Sequence, residues 1–465
     1  MSAKKFDLVV IGGGPAGYVA ALWGAQHGVS VALVEKKYLG GTCLNVGCIP
    51  SKALIHCVEL LDMAKSSKRY GITFAEPEVD FGKVRGYKDR VVKQLVGGIE
   101  FLLEKREVAV FRGMATLTGP NEVSVQTDAE TLTLEAGKII LCTGSEPLCL
   151  PICRLDDPLI MTSDNAVNLP GPPESLAVIG GGAIGLEFAF IYSGFGTKVT
   201  VVEMLPRILP SEDPEASEVL AKSLEKRGVT IAANSKVQEI ADQNGKKRMV
   251  YECEGECTTI EADMALMAVG RRALTAGMGL EEVGVTLERG RVQVNENLQT
   301  SVPSIYAAGD CLRGIGLAHL ASHEGIAAVD AALGGECHIC LDCVPSGIYT
   351  VPEVGSVGLR EHEAQGKGIE ITVGKFPFSA LGKATVLNER EGFVKLIAEA
   401  GTGRMLGGTI VGPKATELIA EVALAVQNKL TMQQIADTIH GHPTLNEAVG
   451  EAAHAGLGTP VHTLE

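Results

Sequence analysis

The sequence predicts an α/β protein that uses one strand–turn–helix–strand unit twice and ends in an α+β domain. Two observations carry this expectation. A β-like run over residues 6–11 leads into Gly12, Gly14 and Gly17; small apolar residues continue at helical spacing, and a second strand over 29–34 ends at Glu35. The same order returns at 176–179, with Gly180, Gly182 and Gly185 in the turn and a strand over 198–202 ending at Glu203. The acid stands at the same offset from the first glycine in both copies. A strand feeding a tight glycine turn, a helix and a terminal acid is the dinucleotide fingerprint of a Rossmann-like unit. The glycines let a pyrophosphate approach the helix N-terminus, and the acid bonds a ribose hydroxyl. Two such units imply two dinucleotides.

Composition fits an enzyme of several domains. A chain of 465 residues, 46% of them hydrophobic, supports about three or four cores by the usual domain size. A formal net charge of −15 disfavours nucleic acid or an anionic membrane as partner. No apolar run approaches the length of a membrane span, and the start, with Lys4 and Lys5 running into a strand, is neither a signal nor a transit peptide. The twelve cysteines are scattered without a secretory framework, which places the chain in a reducing cytoplasm.

Directly after the first acid comes GGTCLNVGCIPSK, residues 40–52. Cys43 and Cys48 are spaced so that a loop folding back brings their sulfurs to bonding distance. A helix opening at Cys48 favours a thiolate there, and the Lys52 ammonium adds to the effect. On this loop alone a redox dithiol, a metal site and two ordinary buried cysteines remain open, although zinc needs two further ligands that the surrounding glycines and aliphatics do not supply. Because the loop follows Glu35, the first dinucleotide is expected beside the sulfurs.

The pattern is then helical to about Lys65 and again from Tyr87 to Lys105. Short β-like runs over 108–133 suggest an antiparallel insertion, after which a strand over 138–142 rejoins the first sheet and ends in Thr143-Gly144-Ser145. The proline-rich segment 147–173 separates the two units. Glu187, early on the second glycine-initiated helix, reads either as a helix-start carboxylate or as a partner for Lys52. Glu203 suits the free ribose hydroxyl of NAD and repels the phosphate of NADP, with Arg207 close by in sequence. The second unit closes near Gly270.

A further strand and turn, SIYAAGD, presents Asp310 either to a cofactor hydroxyl or as the cap of the helix that runs to Leu333. His319 and His323 on that helix lack a clear third metal ligand. The segment CHICLDC places Cys337, Cys340 and Cys343 at metal-like spacing, with Cys311 as a conceivable fourth ligand; no metal is assigned. From Ser346 onward β-like runs alternate with helical ones and no glycine fingerprint appears, so this part is expected to serve assembly as well as catalysis. Near its end HGHPTLNE carries a Pro443 that fits a cis bond. There Glu447 either closes a capping box with Thr444 or orients His442 as a general base for a thiol.

The dithiol loop, the two glycine fingerprints, AAGDC and HPTLNE, in this order over essentially the whole chain, resemble the flavoprotein disulfide reductases. The resemblance implies FAD at the first site, NAD at the second, and a homodimer whose C-terminal domain supplies the base to the partner's dithiol. It places Gly12, Gly14, Gly17, Glu35, Thr143, Gly144, Asp310 and Ala318 on FAD, with Lys52 and Glu187 beside the flavin. Gly180, Gly182, Gly185, Glu203 and Gly270 fall on NAD. Cys43 becomes the interchange thiol, Cys48 the sulfur facing the flavin, and His442 with Glu447 the base pair. The domains implied are 1–150 (FAD, first part), 151–275 (NAD), 276–345 (central, completing the FAD site) and 346–465 (dimerisation).

The substrate implied is dihydrolipoamide, free or on a lipoyl domain of a 2-oxoacid dehydrogenase or glycine cleavage complex. Other disulfides, a diaphorase activity, and a mainly structural role in such a complex are the alternatives. Glu203 disfavours an NADP-linked glutathione reductase, and the ending VHTLE disfavours mercuric reductase. Ala183, Val351 and the CHICLDC cluster depart from the expected pattern.

Overall fold

The computed structural model describes residues 3–153, 156–312 and 316–464. Its first sheet has seven strands. Across it run Ala109–Arg112, Val31–Glu35, Lys4–Ile11, Thr131–Leu141, Glu122–Gln126 and Met114–Gly119, with Ile305–Ala307 also paired to Thr131–Leu141. The aliphatic runs at its centre are covered on both faces, and Val9, Leu33, Ile139 and Ile140 have no exposed surface. This is the burial a parallel sheet requires. The long strand Thr131–Leu141 changes character along its length. Its first half alternates exposed and buried side chains and pairs antiparallel with Glu122–Gln126; its last three residues are all buried and pair parallel with Ile305–Ala307. The chain after the second unit therefore returns to complete the first sheet.

The expected antiparallel insertion over 108–133 is corrected at its start. Ala109–Arg112 pairs parallel with Val31–Glu35, and the antiparallel meander begins only after Gly113. At Gly113 a Cβ would lie 2.5 Å from the Gln126 carbonyl oxygen, so the chain needs glycine to turn there. The helix expected from Tyr87 begins earlier, at Phe81. Asp80 accepts a hydrogen bond from the Lys83 amide at 3.1 Å and caps it, and Phe81 packs edge-on against Phe195.

The second unit is a five-stranded parallel sheet ordered Thr230–Ala232, Lys198–Val202, Ser175–Ile179, Met264–Met267 and Ile160–Thr162, with a separate antiparallel meander over Ser235–Ala262. The C-terminal part is a five-stranded antiparallel sheet. Helices Ala415–Gln427 and Glu447–Gly456 pack on it, closing a core that includes Phe376, Phe378, Leu396, Ile419 and Val449. Its strand Glu353–Gly358 was not among the expected runs; three of its six residues are glycine or serine, so it lacks a strong β-branched signature.

Two features join the units. Helices Cys48–Ser66 and Ala183–Gly194 cross so closely that a Cβ on Gly194 would stand 2.3 Å from a Val58 methyl. Behind the second unit, Lys395 is almost wholly buried. Its ammonium meets Asp213 at 2.9 Å, Glu361 at 3.3 Å and Glu215, which ties the helix Pro214–Lys226 to the C-terminal sheet. Replacing Lys395 by Met strands the fully buried Asp213 carboxylate. We expect a loss of about 3–5 kcal/mol, read as a lower thermal midpoint, and a Lys395→Met/Asp213→Leu double variant that recovers much of it.

The stretch Gly41–Tyr70 passes the length and hydropathy test for a membrane-spanning segment, contrary to the expectation that no run would. However, 44% of its most apolar window is buried inside the protein, and it carries the Cys43–Cys48 loop. Its main helix, Cys48–Ser66, places Leu54, Ile55 and Val58 in the core of the second unit.

Candidate active site

The two glycine turns are near-copies in space. Gly12 and Gly180 have φ of +107° and +108°, and a Cβ on either would run into the carbonyl of Cys142 (2.1 Å) or Ala268 (2.4 Å). A Cβ on Gly17 or Gly185 would lie 1.7 or 2.0 Å from the carbonyl oxygen of the first glycine, so helix and strand pack backbone to backbone. The middle glycines differ. Gly14 has only the Gly41 Cα, 3.8 Å from its ideal Cβ, and Gly182 has nothing within 4 Å. Each helix therefore opens on free space at its amide end, with Gly14 or Gly182 in the capping position and no side-chain cap. That space and those unpartnered amides fit a dinucleotide pyrophosphate.

The acids close the turns. Glu35 accepts from the Gly13 amide at 2.6 Å and from Lys37 and Tyr38; Glu203 accepts from the Gly181 amide at 2.6 Å and from Leu205 at 2.7 Å. Both are 8% exposed. Arg207 faces its own loop, with one guanidinium nitrogen donating to the Pro210 carbonyl at 2.8 Å and to Glu212 at 3.3 Å. Gly270, at φ +119°, borders open space.

The dithiol loop folds around Gly47. The Val46 amide reaches the Thr42 carbonyl, and a Cβ on Gly47 would sit 2.9 Å from the same oxygen. A short helix, Gly41–Asn45, carries Cys43; the next helix begins at Cys48, the start that favours a thiolate there, with Gly47 as its cap. Cys43 and Cys48 are both free and half-buried, and each shifts the acidity of the other.

Their acidities diverge. The hydrogen bond from Cys43 onto the Cys48 sulfur, helped by Lys52, brings Cys48 down to about 7 against the pull of burial, whereas the same bond and burial hold Cys43 well above the ordinary thiol range. Since the Cys48 thiolate gains its partners only in the folded dithiol, alkylation of the reduced protein by iodoacetamide should rise with pH through about 7. It should be nearly complete as thiolate one unit above and about a tenth so one unit below.

Lys52 is held from three segments. Its ammonium meets both Glu187 oxygens, at 2.8 and 3.0 Å, and stands 4.4 Å from the centre of the Tyr349 ring, while the Tyr349 amide donates to Glu187 at 3.1 Å. The tight crossing at Gly194 and Val58 is what brings these two helices into register. Burial pulls the pKa of Lys52 down, but Glu187 more than reverses it, so the ammonium stays charged. Tyr349 was missed from sequence, where only its place beside the VPE turn marked it.

The Thr143-Gly144-Ser145 turn and Asp310 meet across the sheet. Ser145 donates to Asp310 at 2.6 Å and receives Arg271 at 2.8 Å. The Thr143 hydroxyl is buried without a conventional hydrogen bond. Asp310 is not a helix cap, because the helix that follows starts at Ala318 behind Leu317. The Gly309 amide donates to the buried Glu324 at 2.7 Å, a further carboxylate the sequence gave no reason to single out. His319 and His323 bond to backbone carbonyls, of Pro345 and His319 respectively, and among the described residues no group of side chains that could hold a metal includes them. In CHICLDC, Cys340 and Cys343 are bonded to each other, and Cys311 is buried elsewhere, against the Leu141 and Ala308 carbonyls, so the four-cysteine set is not assembled.

A family model described as pyridine nucleotide-disulphide oxidoreductase matches residues 6–325, and the dimerisation domain of the same family matches 344–453. The chain belongs to this family. Among the pyridine nucleotide-disulphide oxidoreductases it is 41% identical to a dihydrolipoyl dehydrogenase of Geobacillus stearothermophilus over 99% of this chain and 98% of that one. It is 43% identical to the mitochondrial dihydrolipoyl dehydrogenase of Dictyostelium discoideum, over 99% and 96%. In structure it is similar to LpdA from Mycobacterium tuberculosis, with a TM-score of 0.90 at 30% identity over 97% of this chain and 99% of that one.

In this pyridine nucleotide-disulphide oxidoreductase the dimerisation domain carries the remaining residues that the sequence singled out. The His442 ring donates through Nδ1–H to Glu447 at 2.8 Å, and Glu447 also accepts the Thr444 amide at 2.7 Å, so the carboxylate both orients the ring and ties the turn. Burial works against the Glu447 charge, but these bonds hold its pKa below the usual carboxylate value. The bond before Pro443 is cis, as the sequence suggested. The His442 side chain is 78% exposed, and among the described residues no hydrogen bond or ion pair joins it to the Cys43–Cys48 loop of its own chain. A second pair, missed from sequence, lies inward: His440 meets Glu421 at 2.8 Å, and Asn446 donates to the other Glu421 oxygen.

Proposed function

We propose that this chain is a dihydrolipoyl dehydrogenase, oxidising dihydrolipoamide, free or on a lipoyl domain of a 2-oxoacid dehydrogenase or glycine cleavage complex, with NAD as final acceptor. The observation that carries the reading is the placing of the cysteine pair: Cys43 on one short helix and Cys48 at the start of the next, whose Lys52 is ion-paired to Glu187, a setting that favours the Cys48 thiolate over the Cys43 one. An interchange sulfur and a stabilised leaving sulfur are what dithiol oxidation asks of a protein. The full-length relatives of that name support the substrate class.

FAD is assigned to Gly12, Gly14, Gly17, Glu35, Thr143, Gly144, Asp310 and Ala318, and NAD to Gly180, Gly182, Gly185, Glu203 and Gly270. When bound, FAD supplies a two-electron acceptor for the dithiol and NAD the acceptor for a hydride. The chain's own residues do the rest. His442, oriented by Glu447, takes the proton of a substrate thiol; the substrate sulfur attacks Cys43 in the oxidised pair, and Cys48 leaves as a thiolate steadied by Lys52. The second substrate sulfur then displaces Cys43, releasing lipoamide and leaving the dithiol. The exposure of His442 and the family's dimerisation domain support a homodimer in which His442 of the partner subunit serves each dithiol. We assign residues 1–150 and 276–345 to the FAD unit, 151–275 to the NAD unit and 346–465 to the interface, and place the enzyme in the cytoplasm.

Anaerobic titration of the yellow holoenzyme with dihydrolipoamide, followed by NAD, tests the reading. A long-wavelength charge-transfer band and then NADH are expected; flavin reduction by NADH but not by dihydrolipoamide would transfer the assignment to another disulfide. The cradle has its own test. Gly182→Ala, whose Cβ meets no protein atom within 4 Å, should leave the thermal midpoint unchanged yet raise the KM for NAD, whereas Gly180→Ala should lose the fold of the unit.

A further inference from the structure

Among the described residues one disulfide is formed, and it is not in the dithiol loop: Cys340 is bonded to Cys343 in CHICLDC. The bond spans the short turn Leu341–Cys343, closed by the Cys343 amide on the Cys340 carbonyl at 3.2 Å. Cys340, Leu341 and Asp342 are exposed and Cys343 is half-buried. A bridge across two intervening residues constrains the unfolded chain less than a long-range one, so its structural worth is small. An exposed Cys-x-x-Cys is instead the arrangement that exchanges.

Cys142, Cys311 and Cys153 lack this character. Burial holds Cys142 well above the ordinary thiol value and pushes Cys311 up to about 12. Cys153, beside Cys149, is also raised to about 12, chiefly by burial. The segment is anchored on both sides of the bond. Ile339 packs against the core of the first unit, His319 donates to the Pro345 carbonyl at 2.8 Å, and the strand Ser346–Ile348 follows. The disulfide is thus presented on a fixed edge.

We propose that Cys340–Cys343 is a second thiol–disulfide exchange site, on the surface and separate from Cys43–Cys48, whose substrates are low-molecular-weight dithiols that close to an unstrained cyclic disulfide. One thiolate of the reagent attacks the exposed Cys340 sulfur, the S–S bond breaks, and its electron pair leaves on Cys343, which takes a proton. The second reagent thiolate then attacks its own sulfur in the mixed disulfide and expels Cys340, which is protonated in turn. A dithiol is oxidised to a cyclic disulfide and the protein gains two thiols. This does not depend on the substrate assigned to Cys43–Cys48.

The test is differential alkylation of the native holoenzyme with dithiothreitol as probe, read by mass on the peptide carrying Cys340 and Cys343. Before treatment these two cysteines should resist iodoacetamide; after brief treatment without denaturant both should be labelled, and oxidised dithiothreitol should restore the block. In Cys343→Ser, Cys340 should instead trap one glutathione per chain from oxidised glutathione. Full labelling before reduction, or a bridge that yields only after denaturation, would overturn the proposal.

Discussion

Cys48→Ser is expected to lower dihydrolipoamide oxidation by about three orders of magnitude or more while leaving NADH oxidation by a small artificial acceptor largely intact. The argument runs through the leaving sulfur. Cys48 is the member of the pair that ionises near 7, and Cys43 and Lys52 are the groups that favour its charge. A serine oxygen in its place forms no disulfide with Cys43, so no sulfur is left to depart when the substrate attacks. The glycine turns around Gly12 and Gly180 and the Lys52–Glu187 pair are untouched by so small a change. Steady-state assays of both reactions on one preparation check this, and a variant that still turned over dihydrolipoamide would sink the relay.

His442→Gln should reduce kcat/KM for dihydrolipoamide by about 10²–10⁴, the range general-base catalysis contributes, with thermal stability nearly unchanged. His442 is largely exposed in the single chain, with its ring hydrogen-bonded to Glu447, so little packing is lost. Glu447→Gln should cost less activity but more stability. It keeps an acceptor for the Thr444 amide while losing the charge that orients the ring. Mixing His442→Gln with Cys43→Ser subunits separates the two chains: if the base crosses the dimer interface, each mixed dimer regains one intact active site, about half the wild-type dimer's turnover, and if it acts within one chain the mixture gains nothing over its parents.

The repeated glycine turns were legible because their requirement is local. A φ near +107° and a carbonyl 2.1 Å from the ideal Cβ admit only glycine, and the spacing from Gly12 to Glu35 repeats from Gly180 to Glu203. The aliphatic strands were legible for a similar reason, since burial on both faces demands an unbroken apolar run. Less was visible where the signal is weak or long-range. The strand Glu353–Gly358 is rich in small residues, and the parallel pairing of Ala109–Arg112 depends on the edge offered by Val31–Glu35. In CHICLDC the spacing alone did not distinguish a metal site from the Cys340–Cys343 bond.

What the sequence by itself determined is the set of chemical parts and their order: two glycine cradles with their acids, a cysteine pair at a helix start, and a histidine with a carboxylate beyond a proline. Backbone sterics and short-range spacing are written into neighbouring residues. Only the tertiary structure decided which distant groups meet. Lys52 is joined to Glu187 and Tyr349 because two helices cross at Gly194 and a strand end closes over them. Asp310 reaches Ser145 because the strand Ile305–Ala307 returns to the first sheet. Arg207 turns from Glu203 because the Pro210 and Glu212 carbonyls claim its guanidinium. Such pairings follow from packing between elements far apart in the chain, and no local pattern carries them.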